Sequence, residues 1–321
     1  MRAAAIVAAL AVAGCGLGVG DSSGGSDNLP TLAAGPYARL RPAAATAAAE
    51  PWLLTATDAL LRDPALLPRA DGGLRVWLTI DPVGDAPPEI GYAELPGPRD
   101  APDRVVARVV AADQPWEEGR VGAPAVVADG DRLLLFYQGG VAAPAIGRAE
   151  STDDGATWTK AAAPVLAGAR APSAAVVDGV VHLFATLSDR PGVFHAVDDG
   201  RGGFTVDPTP VVAPRPDVAG AFDRAAVADP CVLVQELATG RLHWSLWFTG
   251  FDLDPGDERA APSVGYAASF DGTNWQRPGD VGPVLAAPAT GPAVLVRQHG
   301  GLMLFSSQRN LRDAIAAAQH P

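Results

Sequence analysis

Ser151 to Lys160, STDDGATWTK, brings two carboxylates, a glycine and a tryptophan into ten residues. Such a cluster could ligate a cation, act as an acid and base pair, or close a hairpin. Other carboxylates precede prolines, at Asp63-Pro64 and Asp229-Pro230, or follow a tryptophan, at Trp116-Glu117-Glu118. Arg62, Arg120, Arg170 and Arg224 all precede the same kind of proline and could form a positive collar for an acidic ligand. The five histidines, at 182, 195, 243, 299 and 320, show no metal-ligand spacing, so no metal is expected. No Gly-rich phosphate loop or nucleophile elbow is present, and no cofactor is expected.

What these groups can do depends on the elements that hold them, and the chain repeats itself. Five prolines, Pro64, Pro124, Pro172, Pro230 and Pro292, each open an apolar strand. A turn follows, then a second strand with an aromatic: Trp77, Phe136, Phe184, Trp247 and Phe305. A third, small-residue strand comes next: EIGYAEL, AIGRAES, GVFHAVD, SVGYAAS and AIAAAQ. Units two to four add a hairpin and an aromatic fourth strand, whereas unit one has the proline-rich PGPRDAPD there.

The repeats decide what STDDGATWTK is. Asp154-Gly155 recurs as Asp199-Gly200 and Asp271-Gly272, and Trp158 recurs as Phe204 and Trp275. A catalytic pair would not be expected three times; a hairpin turn would, because Asp-Gly supplies the positive φ that a tight turn needs. The aromatic after the turn is expected to fill the gap to the next sheet. STDDGATW resembles the sialidase-type Asp box, S/T-x-D-x-G-x-x-W, a structural motif in that family.

Five units of four short antiparallel strands predict an all-β fold, a five-bladed β-propeller with little helix. Blades start near 63, 123, 171, 229 and 291. The last unit ends after its third strand, so an N-terminal strand around Trp52 is expected to close the ring. The central funnel should be lined by the residues just before each repeat proline. Loops 107–122, 207–228 and 251–262 should rim it. These positions and loops carry three candidate site carboxylates, Asp63, Asp229 and Glu118. Trp116, Arg120, Arg170, Asp223 and Arg224 are the candidate substrate-binding residues.

The N-terminus carries a short positive region at Arg2 and an apolar run, Ala3 to Ala11, too short to anchor in a bilayer. Val12-Ala13-Gly14-Cys15 resembles a bacterial lipobox. The resemblance implies a signal peptide over 1–14 and lipidation at Cys15. Gly16 stands where an inner-membrane retention signal would place Asp, so in a Gram-negative organism the outer membrane is expected. Residues 15–35, Gly/Ser/Asp-rich, read as a flexible tether to a folded body over 36–321. Cys231 is then the body's one cysteine and is expected to be buried and inert. A net charge of −12 argues against nucleic acid as a partner, since binding it needs clustered positive charge. The only membrane contact expected is the lipid.

Ser263 to Pro288, SVGYAASFDGTNWQRPGDVGPVLAAP, is similar to stretches of the five-bladed propellers of glycoside hydrolase families 43, 32 and 130. The resemblance spans about residues 50 to 321. It implies an oligosaccharide or polysaccharide in the funnel and carboxylates acting as acid and as base or nucleophile on a glycosidic bond. Asp63-Pro64 fits the family 43 general base, and the resemblance makes Asp229, before the fourth-blade proline, and the loop residue Glu118 the other catalytic candidates. The second and third blades depart from that pattern, with Ala123-Pro124 and Arg170-Ala171-Pro172 where acids are expected. The alternative is a non-catalytic propeller that binds glycans or a protein partner.

Overall fold

Each repeat proline breaks a strand ladder, and that break organises the molecule. In a computed structural model describing residues 34–41, 52–100, 104–257, 259–277, 282–297, 300–309 and 312–320, the protein forms five antiparallel sheets. The signal peptide over 1–14, Cys15, residues 16–33 of the tether and His299 lie outside the described residues. The body reaches back to Ala34, which is buried.

The first blade comprises Ala59–Pro68, Leu74–Pro82, Glu89–Leu95 and Arg104–Val110. Its fourth strand departs from the sequence expectation: the proline-rich stretch precedes RVVARVV rather than replacing it, so the rim loop begins at 111, not 107. The second blade has Val121–Asp129, Arg132–Gly139 and Ala145–Ser151, with its outer edge split into Thr159–Lys160 and Leu166–Ala167. Ala169–Val177, Val180–Leu187, Val193–Asp198 and Phe204–Val206 make the third. The fourth has Ala226–Glu236, Leu242–Phe251 and Ser263–Ser269. Its outer edge is reduced to the bridges Ala268 with Gln276 and Val264 with Leu285. The only helix among the described residues is a 3-10 turn, Pro115–Glu117.

The fifth blade, Thr290–Arg297, Gly300–Arg309 and Arg312–His320, is completed by the beginning of the chain. Trp52 pairs with Ala316, as the ring-closure expectation required. A second N-terminal strand, Ala38–Arg39, pairs with Gln319 and Ala318. The Arg39 guanidinium donates to the carbonyls of Ala286 (2.9 Å) and Pro288 (2.8 Å) and lies over the Phe305 ring. The N-terminal segment thus clasps the last two blades.

The core lies between blades. Trp77, Phe136, Phe184 and Trp247 are fully buried, each in the apolar cluster between two sheets. In the fifth blade the residue at that register is Leu304, opposite Ala293 as Trp77 is opposite Ala65. Phe305 is one residue further and faces the cluster holding Tyr37 and Trp247. Cys231 belongs to the same cluster, and burial pushes its thiol up to about 12.

The STDDGATW hairpin is closed by hydrogen bonds that use Asp153 rather than Asp154. Asp153 accepts from the hydroxyls of Ser151 (2.7 Å) and Thr157 (2.6 Å) and from the Thr157 N–H (2.9 Å). Asp271 does the same with Ser269, Thr273 and Asn274. The aromatic after each turn packs backwards, on the preceding blade rather than the next. Trp158 meets Trp77, Phe204 meets Phe136 and Trp275 meets Phe184, all edge-on at 5.7–6.3 Å. Each such pair adds about 0.5–1.5 kcal/mol beyond its buried area.

Two histidines make stability fall in acid. Burial holds His243, and burial together with neighbouring His195 holds His182, at about 4, below the ordinary histidine value. The unfolded chain therefore binds protons first, and stability is lost as pH falls from about 6.5 to about 4. Each ring is worth up to about 3 kcal/mol on this scale. The urea midpoint should drop across that window, and the pH slope should be shallower in His243→Phe. A midpoint independent of pH there would contradict the assignment.

Candidate functional site

The residue before each repeat proline has a left-handed backbone: φ is 51° at Asp63, 46° at Ala123, 47° at Ala171, 47° at Asp229 and 55° at Gly291. Proline has no N–H to give the ladder, so each inner strand bulges there and the register shifts. The five bulged residues all line one central cavity of about 70 Å³. This is the funnel that the repeat implied, with its polar floor at the bulges.

Four of the five bulged N–H groups leave their ladders and find new partners in the preceding blade. Asp63 donates to Ser306 Oγ (2.8 Å), Ala123 to Thr79 Oγ1 (2.8 Å), Ala171 to Gln138 Oε1 (3.2 Å) and Gly291 to Thr249 Oγ1 (3.1 Å). These acceptors sit at one register position of the second strand, and sequence reading missed them. The signal was present: Thr79, Gln138 and Thr249 each fall two residues after the aromatic, as does Thr186, whose hydroxyl makes no such bond.

Two bulges carry carboxylates, and both use this latch. Thr79 Oγ1 donates to Asp63 Oδ2 at 3.0 Å while accepting the Ala123 N–H. Asp229 stands beside the matching pair, in which the Gly291 N–H donates to Thr249 Oγ1 (3.1 Å) and both groups favour its charged form. Both acids also reach Gly291, since a Cβ placed there would lie 3.3 Å from Asp63 Oδ1. Blades one and four thereby bring their acids together across the fifth blade's glycine.

Their environments set them apart electrically. Burial raises the Asp63 carboxyl, opposed by the Arg62 charge and the Thr79 hydrogen bond. Burial and the charge on Asp63 raise Asp229 to about 6, against hydrogen bonds that are all from neutral donors. With a cation beside Asp63 and none beside Asp229, the shared proton sits on Asp229.

Above this floor the mouth opens into a cavity of about 470 Å³, lined by Asp63, Asp229, Arg62, Arg120, Gln138 and Arg170 among others. Arg62 is ion-paired with Asp81. Arg120 and Arg170 are exposed. Asp63, Asp229, Arg120 and Arg170 are therefore brought together as the sequence suggested.

Glu118, Trp116, Asp223 and Arg224 are not. The Glu118 carboxylate is exposed and accepts the N–H groups of Val141 (2.7 Å) and Ala142 (2.8 Å), which hold it below the usual carboxylate range. It clamps a rim loop and is unsuited to carry a proton as an acid. Trp116 stacks on Tyr137 and covers Gly139, where a Cβ would come within 2.6 Å of its ring. It is a packing residue rather than a sugar platform. Asp223 is fully buried between Arg215 (2.9 Å) and Arg277 (2.5 Å). Arg224 is exposed and lines neither cavity.

Trp116-Glu117 and Phe222-Asp223 are one device used twice, each acid six residues before its bulge. Phe222 stacks on Phe248 and covers Gly250 and Gly265, as Trp116 covers Gly139 and Gly147. Buried Glu117 is held by Lys160 Nζ (2.7 Å) and the Tyr137 hydroxyl (2.8 Å). Lys160 stands two residues after Trp158, as Arg277 stands two after Trp275. The cations also sit over the rings of Tyr137 and Phe248. Both assemblies fix the chain that enters the funnel.

Among the described residues no group of three or more His, Cys, Asp or Glu is placed to hold a metal ion.

No family model matches the sequence, and no curated protein matches it. Solved structures do share its fold. One is a glycoside hydrolase, 16% identical with a TM-score of 0.67, covering 84% of this protein and 90% of that one. Another comes from work on GH130 mannoside phosphorylases and the glycoside hydrolases among them that target β-1,2 mannosidic linkages in Candida mannan. It is 16% identical, with a TM-score of 0.65, covering 92% and 98%. A third is an exo-1,5-α-L-arabinanase from a bovine ruminal metagenomic library, 15% identical with a TM-score of 0.58, covering 82% and 93%. At these identities the likeness is one of fold.

Proposed function

We propose that this protein is a glycoside hydrolase that takes an oligosaccharide into its central funnel, with Asp229 as general acid and Asp63 as the charged partner. The observation that carries the reading is the pair itself: two carboxylates on one funnel floor, of which one holds a proton up to about pH 6 because it is buried beside the charge of the other. Asp229 would donate that proton to the glycosidic oxygen as the bond breaks. Asp63, kept ionised by Arg62 and Thr79, would supply negative charge to the oxocarbenium-like anomeric carbon. The neighbours' described activities on glycans support the substrate class. Ala123 and Ala171 leave two of the other bulges without acids, so the chemistry rests on this one pair. We also propose that the mature protein is held in the cell envelope, in the outer membrane of a Gram-negative cell, through lipid on Cys15. The lipobox-like VAGC is the support.

The test is product release from a panel of neutral and acidic oligosaccharides, followed by chromatography, beside Asp63→Asn. Turnover by the native protein that disappears in the variant, with binding retained, is the expected result. Glycan binding with no turnover by the native protein would replace the enzyme with a binding propeller.

A further inference from the structure

The two walls of the funnel mouth differ in charge. On the side of blades one and four stand Asp63 and Asp229. On the side of blades two and three, where the bulged residues are Ala123 and Ala171, stand Arg120 and Arg170. Among the described residues neither arginine has an ion-pair partner. Arg99, Arg201, Arg224 and Arg241 likewise pair with no carboxylate among the described residues, but none of them lines the funnel. Arg75, Arg132, Arg148, Arg215 and Arg277 are each paired with a carboxylate. The same mouth holds Arg62, but it is already engaged by Asp81 and by the Asp63 charge beside it.

We propose that Arg120 and Arg170 form an anion subsite, and that the glycan this funnel takes carries a carboxylate, as a uronic acid does. The proposal rests on the reading that a glycan enters the funnel, and it adds the substrate's charge. A guanidinium presents parallel N–H donors that match the two oxygens of a carboxylate. The charge balance favours a singly charged group: two guanidiniums face two carboxylates that share one proton, leaving one positive charge to neutralise. Rim arginines would also draw an acidic glycan in and orient it before the bond reaches the floor.

The experiment uses the full-length protein and two ligands that differ only in charge. One is a mixture of uronate-containing oligosaccharides; the other is the same mixture after its carboxyl groups are reduced to alcohols. Calorimetry should show the acidic mixture binding at least about tenfold tighter at low salt, with the advantage shrinking as salt rises. Arg120→Gln and Arg170→Gln should each lower affinity for the acidic mixture about tenfold, and leave the reduced mixture unchanged. Both side chains are exposed, so the variants should melt with the native protein. Equal binding of the two mixtures, or variants that bind the acidic one as well as the native protein, overturns the subsite and leaves the glycan reading standing. Failure of the reduced, the acidic and all neutral oligosaccharides to bind removes the glycan reading itself.

Discussion

Asp229→Asn is expected to lower kcat on a cleaved oligosaccharide by about 10²–10⁴-fold, the usual worth of a positioned general acid, and to leave the fold intact. The fold survives for three reasons. Asparagine is among the few residues that tolerate the left-handed φ of 47° found at this position. Its amide oxygen can still accept from Thr249 and from the Gly291 N–H. Its neutrality removes the repulsion from Asp63 that raises the native carboxyl. Melting temperature should therefore be unchanged or slightly higher while turnover is lost. Any turnover by the native protein should be lost in the same sense as pH rises through about 6, when Asp229 gives up its proton. A variant that turns over at the native rate would show that the acid lies elsewhere.

Lys160→Met should destabilise the protein by about 3–5 kcal/mol, the usual cost of stripping the partner from a buried charge. Lys160 is the chain's one lysine, and its side chain is 8% exposed. Its ammonium donates to Glu117 (2.7 Å), Asp113 (2.9 Å) and the Ala111 carbonyl (2.5 Å), fixing the loop that leads to Arg120. Methionine would fill the volume but leave Glu117, which is fully buried, without its counter-ion. The double variant Lys160→Met/Glu117→Gln should recover much of the loss, because the uncompensated charge is then gone. Urea denaturation of the three proteins measures this. A single variant as stable as the native protein would mean that the Tyr137 hydroxyl and backbone donors suffice for Glu117.

The blade count is legible in the sequence because proline and Asp-Gly leave marks that no packing context erases. One removes a ladder donor and the other supplies a positive φ, so five prolines and three turns locate every sheet. Arg104–Val110 escapes such a reading because the proline-rich stretch before it looks like a break, although it only lengthens the connection. Phe305 attracts the place that belongs to Leu304 because an aromatic fits the repeat, while only strand pairing shows which of the two faces the blade interface. In the site, Asp63 and Asp229 are readable from their place before a proline. Trp116 and Asp223 mislead because a tryptophan and an acid in a loop look the same whether they bind sugar or fill a gap over glycine. The deciding partners, Gly139 and Gly147 in one case and Arg215 and Arg277 in the other, are not marked by any local pattern. The Thr79 and Thr249 latches show only once a blade is laid against its neighbour.

The whole account turns on Asp63 and Asp229 behaving as one electrically linked pair. Carbon-detected NMR titration of the aspartate carboxyls, in the native protein and in Asp63→Asn, measures this linkage directly. Asp229 is expected to titrate near 6 in the native protein and at a lower pH once position 63 is neutral. An Asp229 that titrates at about 3.9, the ordinary aspartate value, or one that does not respond to Asp63→Asn, would contradict the pairing and the acid role built on it.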